Sequence, residues 1–141
     1  MIRKRKYFAN TSIEGWSYAE KNALAQRVFR WCKQNMGINR RYKQLVSMSI
    51  RKNRFESNVY GAFCPDENQV VVYYNNIKKL KALVGTIIHE YQHSRQPVKT
   101  KYYIYAKKYG YWKNPLEVDA RGVEKKYLNI VINYLNETNR K

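Results

Sequence analysis

The spacing of apolar residues predicts three helices along the chain. Over residues 17–36 apolar side chains recur at near-helical intervals. A second apolar face runs over residues 80–91, in a helix that should end before Pro97. The dipeptide Asn114-Pro115 then opens a long third helix, whose apolar stripe comprises Leu116, Ala120, Val123, Tyr127, Ile130, Val131 and Tyr134.

Between the first two helices the apolar residues follow the shorter period of β-strands. Residues 45–51 alternate apolar and polar, residues 58–64 form a second candidate strand, and residues 69–74 form a third that is rich in β-branched side chains. Turn residues at 65–68 separate the last two strands, which predicts a hairpin. The Tyr- and Lys-rich stretch after Pro97 is assigned no element, so the predicted order is helix, three strands, helix, helix.

This order predicts an α+β domain with an N-terminal helix, a small three-stranded sheet and two further helices. The length of 141 residues is typical of one domain, and a hydrophobic fraction of 44% is enough to form one core. Residues 13–141 are therefore assigned to a single domain, and residues 1–12 to a basic N-terminal arm.

The charge balance indicates an anionic partner or a strongly solvated surface. The chain has 28 Lys and Arg against 10 Asp and Glu, which gives a formal net charge of +18. A field of that sign favours binding to nucleic acid, anionic lipid or cell-wall polymer, and it also favours solubility. No apolar run follows the basic N-terminal residues, and no uninterrupted apolar stretch of about 18 residues occurs. We therefore expect a cytoplasmic protein without a membrane span, or a virion-associated one if a phage encodes it.

The pentapeptide His89-Glu90-Tyr91-Gln92-His93 carries the residues that point to a metal site. Side chains on a helix advance by about 100° per residue, so His89, Glu90 and His93 share one sector, opposite the apolar face. Two imidazoles one turn apart can bind one zinc ion, and the carboxylate beside them can accept a proton from water that the ion activates. Both histidines of the chain lie in this motif. The motif therefore favours zinc-dependent hydrolysis with Glu90 as the general base.

A catalytic zinc ion needs a third protein ligand and one open coordination position. No histidine remains, so the candidates are carboxylates and cysteine. Glu117, at the start of the last helix and 24 residues after His93, is the first candidate. Asp119 is the leading substitute, and Cys64 is the third. Glu117 also has a second interpretation, because its position three residues after Asn114 fits a helix capping box.

With these residues, the chain resembles the zincin metallopeptidases, and within them the glutamate-ligand group that includes thermolysin-like and compact SprT-like or phage-type domains. The resemblance rests on His-Glu-x-x-His followed by Asn-Pro-Leu-Glu at the next helix, and it covers roughly residues 69–135. It implies a minimal zincin-like fold, a catalytic base at Glu90, and a zinc ion bound by His89, His93 and Glu117.

Residues near the motif complete the predicted site. Similar enzymes use a carboxylate to orient a ligand histidine, and Asp119 is the candidate for that hydrogen bond. They also present a Tyr or His to the oxyanion that forms during hydrolysis, and Tyr109 and Tyr111 lie just before the last helix. Gln92 and Gln96 are expected to be ordinary helix-surface residues.

Three functions are compatible with these features. The first is a peptidase whose extended protein or peptide substrate pairs with an edge strand, either residues 69–74 or their hairpin partner. The second is hydrolysis of peptide or amide bonds in an anionic bacterial cell wall. The third is a non-enzymatic basic module that binds nucleic acid or a virion component and keeps a structural or vestigial zinc site. Glu90 favours an enzyme, because a structural site has no need of a general base.

Overall fold

A computed structural model describes residues 6–39, 42 and 44–138 and confirms the α+β class. Its elements are α1 (Tyr18–Asn35), β1 (Ser47–Arg51), β2 (Gly61–Cys64), β3 (Gln69–Tyr73), a 3-10 turn (Tyr74–Asn76), α2 (Leu80–Ser94), α3 (Val98–Tyr109) and α4 (Pro115–Thr138). The N-terminal helix, the three strands and the C-terminal helix all match the predicted order. Within the described residues, no helix is both long and apolar enough to cross a membrane.

The first helix begins at a capping box. The Ser17 hydroxyl accepts a hydrogen bond from the Glu20 backbone N–H, and the Glu20 carboxylate accepts one from the Ser17 N–H, each at 3.1 Å. These bonds satisfy two of the N–H groups that a helix start leaves unpaired. The buried face of α1 then packs against α2, where the rings of Phe29 and Tyr91 meet edge to face.

The sheet has the order β1-β3-β2, so β3 is the central strand. Strand β1 is parallel to β3, whereas β2 is antiparallel to it and forms the predicted hairpin. Because β3 is paired on both sides, its three valines, Val70, Val71 and Val72, are buried. Among the described residues, no strand pairs with the other edge of β2. Of the two strands expected to receive an extended substrate, only β2 can therefore do so.

Helix α2 lies at the centre of the core and packs against α4, α1 and the sheet. Its large apolar residues are fully buried, namely Leu80, Leu83, Val84, Ile87, Ile88 and Tyr91. The Tyr91 hydroxyl donates a hydrogen bond of 2.6 Å to the Gly37 carbonyl, which ties this helix to the end of α1. The helix that carries the motif is thus held rigidly along one face, and the opposite face is left for the polar residues.

The second half of the predicted N-terminal arm, residues 6–12, packs on the domain. The side-chain amide of Asn136 brackets the Tyr7 backbone, accepting from its N–H at 2.6 Å and donating to its carbonyl at 2.8 Å. The Tyr7 side chain is buried in the core, and Ser12 forms an isolated β-bridge with Lys79. Residues 1–5, the other part of the predicted arm, lie outside the described residues.

Helix α3 was not predicted, and the order helix, three strands, helix, helix is wrong by this one element. No residue of α3 is buried, so the segment carries no apolar stripe from which a helical period could be detected. Pro97 at its N-cap position and Gly110 at its C-cap position, with a φ of 77°, mark the two ends. This helix covers one side of the motif on α2 and supplies side chains to the site.

Candidate metal centre

Two histidines and one glutamate meet at the junction of α2 and α4. Glu117 Oε1 lies 2.8 Å from His89 Nε2 and 3.2 Å from His93 Nε2. The centroids of the two imidazole rings are 5.0 Å apart. His89, Glu90 and His93 each offer one atom that could bind a metal ion, and these three atoms lie within 4.8 Å of one another. A single carboxylate oxygen therefore lies between two imidazole nitrogens, as a third ligand on one ion would.

Glu117 can reach this position because the N-terminal cap of helix α4 is provided by Asn114 and does not need the Glu117 side chain. The Asn114 Oδ1 atom accepts a hydrogen bond of 3.0 Å from the Leu116 N–H, and Pro115 occupies the first helical position. The capping-box interpretation of Glu117 is wrong, because the Asn114 N–H donates to the Tyr111 carbonyl at 3.2 Å instead. The Glu117 carboxylate, only 4% exposed, is directed at the histidines.

We call His89, His93 and Glu117 the triad. Each of its two imidazoles contacts, through Nδ1, an oxygen acceptor outside the triad. His93 Nδ1 lies 2.7 Å from Gln96 Oε1, and His89 Nδ1 lies 3.1 Å from Glu124 Oε1. The Gln96 amide orientation is fixed, because its Nε2 donates to the Leu116 carbonyl at 2.9 Å and to Asp119 at 2.8 Å. Each ring thus donates outward from Nδ1, and each Nε2 faces inward.

This arrangement fits a bound cation. With Nδ1 protonated on both rings, the neutral imidazoles present the Nε2 lone pairs of His89 and His93 to the Glu117 oxygen, which is itself an acceptor. Three acceptors that close together are stable only if protons or a metal ion lie between them. Two imidazole nitrogens and one carboxylate oxygen, with hydrogen-bonded outer partners, make up a donor set that zinc favours.

The residues that hold His89 and His93 from outside the triad differ in part from those predicted from the sequence. Gln92 and Gln96 are buried, so their assignment to the helix surface is wrong. Asp119 is not directed at the triad: its Oδ2 accepts hydrogen bonds of 2.8 Å from both amides, and it supports His93 through Gln96. The contacts of Gln96 with His93 and of Glu124 with His89 were not predicted from the sequence. Glu124 had a detectable signal, since it follows Glu117 by two helical turns and so lies on the same face of α4.

Charge within the site shifts the pKa of each group. Burial alone would lower the pKa of His89, but its hydrogen bonds to Glu117 and Glu124 outweigh burial and raise it to about 10. Burial is similarly outweighed at His93, where Glu117 raises the pKa. Both histidines and Tyr102 hold the pKa of Glu117 well below its usual range, although burial opposes this. Burial raises the pKa of Glu90, which moves that carboxylate towards the range in which a general base and acid works.

These shifts predict that zinc and protons compete for the site. With a raised pKa, His89 holds a proton at neutral pH that a zinc ion would have to displace, and the raised pKa of His93 would add to this competition. Proton release is favoured as pH rises, so apparent zinc affinity should increase by about tenfold or more per pH unit between about pH 6 and pH 8. Competition with a chromophoric chelator measures this slope. An affinity that does not change with pH would contradict the proposed ligand set.

An open cleft of about 710 Å³ leads to the triad. Strand β2 forms one wall through Gly61, Ala62 and Phe63, and α3 forms the other through residues that include Tyr102 and Tyr103. The two tyrosines predicted to donate to the oxyanion lie in different places. Tyr111 lines the cleft, whereas Tyr109 packs against Tyr105 and is not among the residues that line the cleft. Cys64 ends β2 and is not among the described residues that line the cleft.

Two glycines give the site its close packing. A Cβ atom on Gly85 would lie 2.6 Å from the Glu124 carboxylate, so this glycine leaves room for the group that orients His89. A Cβ atom on Gly61 would lie 2.5 Å from the Thr86 methyl and 2.7 Å from the Val71 carbonyl. Gly61 therefore lets β2 approach α2 closely, beside Glu90.

We compared the chain with models of known protein families, with curated proteins and with solved structures, and no match was found in any of the three comparisons.

Proposed function

We propose that this chain is a zinc-dependent hydrolase that cleaves peptide bonds. In this proposal His89, His93 and Glu117 bind the ion, and Glu90 is the general base. The supporting observation is that one Glu117 oxygen lies 2.8 and 3.2 Å from the two Nε2 atoms, while both Nδ1 atoms are held by outer oxygen acceptors. Four of the ten acidic residues gather at this junction, namely Glu90, Glu117, Asp119 and Glu124.

In this proposal the residues around the triad have different roles in hydrolysis. A bound zinc ion would supply Lewis acidity, polarising the substrate carbonyl and making water easier to deprotonate. Glu90 would accept the proton of the attacking water at its carboxylate and return it to the departing amine. Its raised pKa suits both steps. Tyr111, whose pKa is raised by burial and by nearby carboxylates, stays protonated and would donate its O–H to the developing oxyanion.

The walls of the cleft favour an extended polypeptide as substrate. Strand β2 has a free edge and lines the cleft, so its backbone groups are available to pair with an added strand. Phe63, Tyr102 and Tyr103 give the cleft aromatic walls, against which an apolar substrate side chain would pack. A peptide rather than a compact small molecule is the substrate that matches an open groove along a strand edge.

Removal and return of the metal tests this proposal. The zinc-loaded chain should cleave fluorescently labelled, unfolded casein, since an unfolded substrate can adopt the extended form. Dialysis against a strong chelator should abolish cleavage, and one equivalent of zinc should restore it. Cleavage that continues in the metal-free chain would contradict the proposal, as would a chain that binds zinc and leaves labelled casein and short peptides intact.

A second candidate function, binding to nucleic acid, is favoured by the surface of α3 and the turn after it. Residues 98–116 contain no acidic residue and five lysines, namely Lys99, Lys101, Lys107, Lys108 and Lys113. Large aromatic side chains are exposed among them, with Tyr103 at 84% and Trp112 at 69%. Lysines interleaved with exposed aromatic rings suit a single strand, whose phosphates pair with the lysines and whose bases stack on the rings. This activity would not need the metal.

Salt dependence tests the second candidate. Binding of a fluorescent oligothymidine should weaken as salt increases, with a slope in the log–log plot of about −0.7 for each phosphate contact. Lys107→Gln should reduce the slope by about one such contact, whereas Lys52→Gln, at an exposed position that is not part of α3, should not. Equal slopes for the two variants would show that the charge acts diffusely and that α3 is not the binding surface.

A further inference from the structure

The two oxygens of Glu117 have different partners. Oε1 lies between His89 Nε2 and His93 Nε2, at 2.8 and 3.2 Å. Oε2 accepts a hydrogen bond from the Tyr102 hydroxyl. Tyr103 and Tyr111 line the same cleft, yet among the described residues Tyr102 is the phenol whose O–H reaches this carboxylate. The Tyr102 phenol therefore binds the Glu117 oxygen that does not lie between the two imidazole nitrogens.

The buried side-chain amide of Asn114 holds Tyr102, on helix α3, in this position. Asn114 is fully buried, and its side chain makes two hydrogen bonds: Nδ2 donates to the Tyr102 carbonyl at 3.2 Å, and Oδ1 accepts from the Leu116 N–H in the first turn of α4. Asn114 thereby links the backbone of α3 to the start of the helix that carries Glu117. The Tyr102 ring also meets the His93 ring edge to face, with centroids 6.1 Å apart. The phenol is thus fixed relative to both proposed ligands.

We infer that Tyr102 is a positioning residue that makes Glu117 a ligand through one oxygen. This inference rests on the proposed metal centre. A carboxylate can bind a metal ion with one oxygen or with two. The hydrogen bond from the Tyr102 hydroxyl makes Oε2 the weaker metal donor of the two oxygens, and Oε1 already lies between the two Nε2 atoms, so binding through Oε1 alone is favoured. With Oε2 engaged, His89, His93 and Glu117 supply three donor atoms. A four-coordinate ion then keeps one position free for water or substrate, as a catalytic zinc site requires.

The substitution Tyr102→Phe removes only the hydroxyl and isolates this role. Tyr103→Phe, on the next residue of the same cleft wall, is the matched control. We expect Tyr102→Phe to weaken zinc binding by about 10–100-fold, the usual effect of losing an outer partner of a ligand. The visible absorption of the bound Co²⁺ form should also fall in intensity, because the freed second oxygen of Glu117 can raise the coordination number above four. Tyr103→Phe should match the wild type in both measurements.

Other results of these measurements would contradict either the positioning role of Tyr102 or the proposed function. If Tyr102→Phe keeps wild-type zinc affinity and the wild-type Co²⁺ spectrum, the positioning role is wrong while the metal centre stands. Loss of casein cleavage with both metal readouts unchanged would instead make Tyr102 a donor to the reacting carbonyl. If the wild type binds neither zinc nor Co²⁺, the proposed function itself fails. Matching circular dichroism spectra of the metal-free variants confirm that the comparison is between folded chains.

Discussion

The substitution Glu90→Gln is expected to reduce turnover by about 10²–10⁴-fold while the chain keeps its zinc. The glutamine is nearly isosteric and can still hydrogen bond, but it cannot accept a proton from water. Glu90 is partly buried beside His89 and His93, and its neighbours on α2 are fully packed, so the fold should be unaffected. The measurement is the rate of labelled casein cleavage by variant and wild type at equal zinc content.

Glu67→Gln is the matched control for this prediction. Glu67 lies on the exposed turn of the β2–β3 hairpin, so the same chemical change there should leave the rate close to that of the wild type. A Glu90→Gln variant that remains fully active would show that another group accepts the proton. It would also remove the main reason for preferring an enzyme to a structural zinc site.

The substitution Glu117→Ala is expected to weaken zinc binding by more than about 100-fold. Outer partners of metal ligands alone contribute about 10–100-fold, so the loss of a ligand should exceed that range. The effect should be large for a second reason: without the carboxylate, His89 and His93 lose the charge that holds them together. Zinc content by mass spectrometry, together with chelator competition, measures the change.

Asp119→Ala separates the two candidate carboxylates. The Asp119 carboxylate accepts hydrogen bonds from the side-chain amides of Gln92 and Gln96. Its link to His93 runs through Gln96, whose Oε1 contacts His93 Nδ1. Its removal should therefore weaken zinc binding within the range of about 10–100-fold that is typical of an outer partner, and less than Glu117→Ala does. A larger loss from Asp119→Ala than from Glu117→Ala would exchange their roles and contradict the geometry of the triad.

The parts of the site that lie on one helix could be predicted from the sequence. His89, Glu90 and His93 are placed relative to one another by helical geometry alone, and the apolar stripe of α2 showed which face they would occupy. The hairpin was equally local, because its turn residues lie directly between β2 and β3. Local spacing is sufficient where a feature depends on only a few consecutive residues.

The support from other elements could not be predicted in the same way. The contacts of Tyr102 and Glu124 with the triad depend on how α3 and α4 pack against α2, which no local spacing encodes. Helix α3 itself has no buried residue, so its sequence carries no apolar period. The sequence predicts Tyr109 and Tyr111 rather than Tyr102, because those two tyrosines lie just before the last helix. Gln96 follows α2 and appeared to be a surface residue, because its partners lie on α4.

The sheet shows the same division between local and distant information. The antiparallel pairing of β2 with β3 follows from a short turn. The parallel pairing of β1 with β3 joins strands that are separated along the chain by β2, and it alone makes β3 the central strand. From sequence, either member of the hairpin could therefore be the edge that receives a substrate. Because β1 covers the other edge of β3, β2 is the hairpin strand that keeps an unpaired edge among the described residues.

X-ray absorption at the zinc edge of the loaded wild-type chain tests the proposed metal centre most directly. His89, His93 and Glu117 predict a first shell of nitrogen and oxygen atoms only, at about 2.0–2.2 Å, with the outer-shell signal of two imidazoles. A sulfur atom at about 2.3 Å would assign a ligand to cysteine and contradict this set. A chain that takes up no zinc from excess metal would contradict the metal centre altogether.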